Sequence, residues 1–404
     1  MRRIVLPLLL VTAAAFAQAD PEKEGMIFAR VDGMLTQVSE ITGMKVTRPV
    51  PRALISRDQI REYIEKRLAE AVPPAEIRGQ EILLKKLGFV GPDFSLKTQM
   101  VDLLAEQAAA FYDFKQKKLF LATWTPTLLQ DVALVHELAH ALADQHFNLQ
   151  KFIERSGEDD DAALARGAVI EGQASWVMTE FMARQMGQSL KDTPQLAQPP
   201  AGAAAEAARQ YPVFAAAPLY LQETLLFPYL QGLQFQQAVF RKLGQPAFEE
   251  VFRRAPASTQ QILHPEQYFQ RAMPAKLSLP AVELPKGYKK LLAGTLGEFD
   301  FQIMLRQHAT EPEARRLAPR WRGGRYALWE NPAADRAVLA YAVEWGSEAD
   351  AEAFFGHYRK VCGRKWKRLE METDQPKEAT GLGDDGRFRW RIQGKSFFCV
   401  EGLP

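Results

Sequence analysis

The stretch ALVHELAHALADQHF, residues 133–147, restricts the possible folds more than any other part of the chain. It places His136 and His140 four residues apart, with Glu137 beside the first. Apolar residues fill nearly every other position from Leu134 to Leu142, which predicts a helix that is buried on almost all sides. Three ionisable side chains in such a helix need partners, and one metal ion can supply a partner for all of them.

The spacing of the two histidines suits zinc. Residues four apart on a helix point the same way, with Cβ atoms about 5–6 Å apart, so both imidazoles can reach one ion. Glu137 can then take a proton from the water that zinc activates. The alternative is a chance pair of histidines hydrogen-bonded in a core. Because the chain has only six histidines, we expect a zinc site.

Two residues compete for the place of the third ligand. His146 has the spacing of the metzincin pattern, but Ala143 stands where that pattern needs a glycine for a turn with positive φ. In a continuous helix His146 lies about 280° round from His136 and faces elsewhere. Glu171 belongs to the next predicted helix, about residues 161–186, within the apolar sequence AVIEGQASWV. An unpaired carboxylate there would be costly.

We therefore predict Glu171 as the third ligand. The alternative is that Glu171 lies on a solvent-exposed stripe of the helix and binds no metal. Gly172 allows that helix to approach a neighbour closely. Ahead of the helix, Asp159, Asp160 and Asp161 suit its positive N-terminal end.

The motifs HELAHALADQHF, EGQAS and STQQILHPEQYF together resemble a group of exported prokaryotic proteins that are regarded as gluzincin-type zinc metallopeptidases. The resemblance runs from about residue 40 to the C-terminus and includes AAFYDFKQKKLFL and WRGGRYAL. It implies that His136, His140 and Glu171 bind zinc and that Glu137 is the general base. Better-known gluzincins often have an aspartate where this chain has Ser175, so Asp144 is the possible support for a zinc-bound histidine.

The function that we expect is hydrolysis of peptide bonds in a peptide or protein substrate. The predicted hairpin strand Lys118–Trp124 could hold an extended substrate as an added strand. Two alternatives remain open. The chain could hydrolyse another kind of amide, or it could be an inactive zincin-fold binding module in which zinc is structural.

A downstream donor should help to stabilise the oxyanion, and STQQILHPEQYF offers His264 or Tyr268. Ser258 followed by Gln261 predicts a capping box at the start of a short helix. Pro265 suits the first turn of the next helix, which leaves His264 at the break. The alternative is that His264 caps or packs under that helix.

The predicted fold class is α+β. It comprises a mainly helical zincin-like catalytic domain with a short β-sheet, residues 20–285, and a small C-terminal α+β domain, residues 296–404. An extended linker with Pro274, Pro280 and Pro285 separates the two. In the second domain we predict strands in RYALWE and RAVLAYAVEW, a helix that follows Ser347, and a hairpin that turns near Gly394.

Residues 1–19 read as a signal peptide with cleavage near Ala19, because Arg2 and Arg3 precede an apolar run that ends in small residues. We therefore expect a secreted or periplasmic protein without a stable membrane span after cleavage. The net charge of +2 gives no electrostatic reason to expect nucleic acid as a partner. In an oxidising compartment Cys362 and Cys399 should pair. The oligomeric state stays open.

Overall fold

The structure is a computed structural model that describes residues 21–107, 110–122, 127–198 and 209–404. The predicted signal peptide therefore lies outside the described residues. Helices and a small sheet make up the chain to about residue 285, and a larger sheet with its own helices follows. The protein is thus of mixed α and β type with a separate C-terminal β-sheet region.

The first part of the chain builds a three-stranded sheet among four helices. Helices α1 to α4 span Pro21–Thr42, Arg57–Ala71, Pro74–Lys86 and Leu96–Gln107, and strands β1 to β3 span Arg52–Ile55, Ala110–Asp113 and Lys118–Ala122. The strand order is β1-β3-β2, with β3 parallel to β1 and antiparallel to β2. The hairpin of β2 and β3 agrees with the predicted one.

The suggestion that Lys118–Trp124 accepts a substrate as an added strand is wrong for the described part of this segment. Strand β3 lies in the middle of the sheet, so its backbone groups pair with β1 on one side and with β2 on the other. Strand β2 lies at the edge of the sheet, and its backbone contacts the helix that carries the histidines.

The middle of the chain is helical. Helices α5 to α12 span Thr127–Phe147, Leu149–Glu154, Asp160–Gln185, Pro212–Ala216, Leu219–Leu243, Ala247–Arg253, Thr259–Leu263 and Pro265–Phe269. Helix α5 is surrounded by a hydrophobic core to which it contributes Leu134 and Leu138, while α7 contributes Trp176. Among the described helices, none has both the length and the apolar composition needed to cross a membrane.

The C-terminal region is a seven-stranded antiparallel sheet with three helices. Strands β4 to β10 span Lys289–Thr295, Trp321–Asn331, Arg336–Trp345, Leu369–Gln375, Glu378–Gly383, Gly386–Gln393 and Ser396–Leu403, and helices α13 to α15 span Glu298–His308, Glu311–Leu317 and Glu348–Lys365. The order is β4-β5-β6-β10-β9-β8-β7. The predicted strands, the helix capped by Ser347 and the turn at Gly394 are confirmed.

The start of this region differs from the prediction. Strand β4 pairs with β5 from Lys289 onwards, so the region begins before residue 296. Strand β4 lies between the last proline of the predicted linker and residue 296. The sequence does not predict it, because a single short strand at a sheet edge has no distinctive pattern without its partner.

The three aspartates at the start of α7 join the helical part to the C-terminal region. Asp159 caps the helix by accepting from the N–H of Ala162, as expected from the helix dipole. It also accepts from the Thr295 hydroxyl at 2.7 Å. The Tyr326 hydroxyl donates to Asp160 at 2.7 Å. One hydrophobic core runs through both parts and includes side chains of α7, α9, α13 and the large sheet.

The predicted disulfide between Cys362 and Cys399 is wrong in this structure, where both residues are buried free thiols. Each thiol contacts a different member of a buried hydrogen-bonded pair, in which the hydroxyl of Tyr358 donates to Glu401. Cys362 Sγ lies 3.6 Å from Glu401, whereas Cys399 Sγ lies 3.8 Å from the hydroxyl of Tyr358. Burial raises the pKa of both thiols well above the usual value, which favours the unreactive protonated form.

Candidate metal centre

Helix α5 brings the two histidines together as the sequence predicts. His136 and His140 lie one turn apart, and their ring centroids are 4.6 Å apart at an interplanar angle of 83°. Their exposed fractions are 0% and 2%. Because Leu134, Val135 and Leu138 anchor the helix in the core, the imidazoles are held with little freedom to move.

Glu171 reaches both histidines from helix α7. Its Oε2 atom lies 3.1 Å from His136 Nε2 and 3.3 Å from His140 Nε2, and the side chain is almost fully buried. A tetrahedral ion with bonds of about 2.0–2.1 Å would separate its ligand atoms by about 3.3–3.4 Å. The two observed distances are close to this separation, so Glu171 fits the position of a zinc ligand beside each histidine.

Buried polar atoms without a hydrogen-bond partner give a second test of the fit. They include His140 Nε2, His136 Nδ1 and Glu171 Oε1. The contact at 3.3 Å between His140 and Glu171 lacks the geometry of a hydrogen bond. Unsatisfied polar groups in a core are rare and costly, and a metal ion would satisfy the Nε2 atom.

Glu137 has a different environment from Glu171. Its Oε2 atom accepts a hydrogen bond of 2.7 Å from the backbone N–H of Tyr112 in strand β2. Ligand atoms of His136, Glu137 and His140 lie within 4.8 Å of one another, so distance alone would admit Glu137 as a ligand. We prefer Glu171 as the ligand, because its oxygen is closer to both imidazoles and Glu137 is held by the strand.

The electrostatics separate the two carboxylates. Burial raises the pKa of Glu137 to about 8, and Glu171 adds to this effect while His140 opposes it. Burial would also raise the pKa of Glu171, but the two histidines outweigh it and lower this pKa to about 2. Burial lowers the pKa of His136 to about 4. Burial would lower the pKa of His140 too, but the carboxylates of Glu171 and Glu137 outweigh it and raise this pKa. In the metal-free chain, therefore, His136 and Glu171 have the protonation states that metal binding requires, whereas His140 would have to lose a proton.

Asp144 lies one turn beyond His140 but is bonded mainly to the hairpin. Its Oδ2 accepts from the hydroxyl of Tyr112 at 3.0 Å, and its Oδ1 accepts from the N–H of Leu149 at 2.9 Å. Lys117 forms an ion pair with it at 2.7 Å. Direct support of a zinc-bound histidine by Asp144 stays a prediction.

The other candidates have partners away from the histidine pair. His146 Nε2 lies 2.8 Å from the carbonyl oxygen of Lys45. His264 Nε2 lies 2.8 Å from Glu298 Oε1, whose hydrogen bond raises the pKa of His264. The buried hydroxyl of Tyr268 donates to the carbonyl of Arg254 at 2.8 Å. The structure therefore brings together His136, Glu137, His140 and Glu171, while it gives His264 and Tyr268 other contacts.

The segment around His264 has the predicted breaks but not the predicted cap. Helix α11 begins after Ser258, and α12 begins at Pro265. Ser258 makes no side-chain capping bond, and the amide oxygen of Gln261 accepts from the N–H of Ala257 instead.

Tyr229 is a neighbour of the site that the sequence did not indicate. It lies in α9, and its ring is stacked near that of His136 with a centroid distance of 6.0 Å. Helices α7 and α9 approach each other closely at two glycines. A Cβ atom on Gly172 would lie only 2.1 Å from the carbonyl carbon of Gly232, which confirms the predicted role of Gly172.

A family model described as a domain of unknown function, DUF8575, matches residues 288–404, which is less than half of the chain. Its first residue precedes strand β4, so the matched segment corresponds to the C-terminal sheet region. No curated protein and no solved structure matches the chain. The histidine pair and both glutamates lie outside the matched segment.

Proposed function

We propose that this chain is a zinc-dependent metallopeptidase of the gluzincin type. The observation that carries the proposal is the position of Glu171 Oε2, 3.1 Å from one imidazole nitrogen of the HExxH helix and 3.3 Å from the other. His136, His140 and Glu171 would hold the ion. Bound zinc would supply Lewis acidity that polarises the substrate carbonyl and lowers the pKa of water.

Glu137 would act as the general base. Its carboxylate is beside the proposed ligands but is hydrogen-bonded to Tyr112 N–H. This contact holds it in place and partly opposes the rise in pKa that burial causes. A base in this position takes a proton from water and returns it to the leaving amine. The backbone of strand β2 thereby orients the proton acceptor.

A structural zinc site in a binding module is the second candidate. The near-complete burial of all four side chains, with exposed fractions of 0–2%, favours this alternative, since structural zinc sites are closed. Glu137 favours the catalytic one, because a closed structural site has no need of a base beside its ligands.

Hydrolysis of a quenched fluorogenic peptide mixture separates these functions. We expect cleavage by the zinc-loaded chain, loss of cleavage after chelation and recovery when zinc is added. Zinc retention without cleavage of any peptide would favour the binding module. Cleavage of other amides, but not of peptides, would identify the remaining alternative.

A further inference from the structure

The turn between β2 and β3 lies along the face of α5 that carries the histidines. Tyr112 N–H contacts Glu137, the Phe114 ring meets the His140 ring edge-on at a centroid distance of 6.1 Å, and a lysine of the turn binds Asp144. The three contacted positions on α5 are about one turn apart, so the hairpin follows the proposed metal face.

The contact at Asp144 fastens the turn to the helix. Lys117 Nζ lies 2.9 Å from Oδ1 and 2.7 Å from Oδ2 of Asp144. The aspartate side chain is fully buried, whereas about a third of the lysine side chain is exposed. This pair is therefore less screened by solvent than an ordinary surface pair, yet the lysine can leave into water.

A second lysine of the same turn points to a different element. Lys115 Nζ lies 3.0 Å from Glu70 of α2, and both side chains are well exposed. Lys115 is thus a natural control for Lys117, because it has the same charge and the same turn but no contact with the site helix.

We propose that residues 114–117 are a strap that controls access to the histidine pair and that the Lys117–Asp144 ion pair holds the strap closed. The inference rests on the proposed function in one respect, namely that a substrate needs to reach this site. The site side chains are 0–2% exposed, and Phe114 lies directly against one of them. Asp113 also holds the turn, because it accepts from the N–H groups of Lys115 and Gln116. Release of Lys117 therefore frees only the helix-facing side of the turn, which is the side that covers His140.

The test measures access to the histidines in the metal-free chain. The wild type and three variants are treated with diethyl pyrocarbonate; the variants are Lys117→Met, Lys117→Arg and Lys115→Met. The modification rates of His136 and His140 are then followed by peptide mass spectrometry. We expect the rate to rise about fivefold in Lys117→Met, as for the loss of a favourable ion pair. Lys117→Arg and Lys115→Met should react at the wild-type rate. Circular dichroism verifies that each variant is folded.

Equal modification rates in the wild type and the three variants would contradict the proposal that residues 114–117 act as a strap. The same variants, loaded with zinc, give a second readout. Chelator should remove the ion faster from Lys117→Met than from Lys115→Met. A wild-type chain that binds no zinc would contradict the proposed function, but the modification rates would still decide whether the strap exists.

Discussion

Glu137 and Glu171 are both buried beside the histidine pair, yet they differ in their contacts. Glu171 touches both imidazoles, and Glu137 touches a backbone N–H of the neighbouring strand. Under the proposed function, this difference corresponds to separate roles for the two carboxylates, one as a ligand and one as a base. It also makes the roles separable by mutation.

Glu137→Gln should abolish peptide hydrolysis, with a loss of at least about 10²–10⁴-fold, because the amide cannot accept the proton. Zinc content should stay near that of the wild type, since no proposed ligand is lost. The measurement is turnover together with metal analysis of the same sample. Glu158→Gln, at an exposed position, is the control. Wild-type turnover by Glu137→Gln would contradict the proposed role of the base.

Among the residues around the histidine pair, the buried glutamate Glu171 was easier to predict from the sequence than the aromatic residue Tyr229. Glu171 was identifiable because a carboxylate in an apolar helical segment needs a partner. Tyr229 was not, because an aromatic residue in an apolar helix is equally suited to an ordinary core. Its proximity to His136 depends on how two helices pack, which no local pattern encodes.

At the scale of elements, the contact between α7 and α9 depends on two glycines. Gly172→Ala would place a methyl group 2.1 Å from the backbone of Gly232. We expect the free energy of unfolding to fall by at least about 1–3 kcal/mol through overpacking, with weaker zinc binding because Glu171 is adjacent. Chemical denaturation and zinc titration measure the two effects.

Gly33→Ala in α1 is the matched control, because a Cβ there meets no atom within 4 Å. It should be neutral or stabilising by about 0.5–1 kcal/mol. Equal stability of both variants would show that the two helices do not pack through these glycines.

The short helices α11 and α12 offer a second prediction. His264→Ala removes one hydrogen-bond partner of the buried Glu298, which keeps Gln260 as another. The free energy of unfolding should therefore fall by about 1.5–3 kcal/mol. Tyr268→Phe should cost about 0.5–1.5 kcal/mol, because one neutral hydrogen bond is lost. We expect turnover per folded molecule to be retained. If turnover falls while stability and zinc content do not, the two residues have the oxyanion role that the sequence suggested.

Elements were easier to predict than their arrangement. The histidine helix, the helix of Glu171 and strands β5, β6, β9 and β10 of the large sheet follow from periodicity and turn signals. The central position of β3 and the existence of β4 do not, because strand order is decided by long-range pairing. The predicted disulfide between the two cysteines was wrong for a related reason, because Tyr358 and Glu401 provide the thiols with other contacts.

For the whole molecule, the shared core makes the C-terminal region part of the folding unit. Leu84, Phe235 and Trp390 belong to one hydrophobic cluster, although they lie in α3, α9 and β9. A chain that ends at residue 287 would expose this cluster to water. We expect the truncated chain to be insoluble or to unfold at a lower temperature than the full chain.

A protease site inserted between residues 276 and 285 provides the control. After folding and cleavage, the two pieces should stay together in gel filtration, because the core and the contacts of Asp159 and Asp160 still join them. Separation into two folded pieces would show that the C-terminal region is independent.

The zinc affinity of Glu171→Ala tests the central claim most directly. Competition with a chromophoric chelator gives this affinity for the wild type, for Glu171→Ala and for His146→Ala. Loss of a direct ligand should weaken binding by more than about 100-fold, which exceeds the effect of losing a supporting residue. His146→Ala should bind zinc as the wild type does, since His146 contacts Lys45 instead. Unchanged affinity in Glu171→Ala, or a loss confined to His146→Ala, would contradict a site formed by His136, His140 and Glu171.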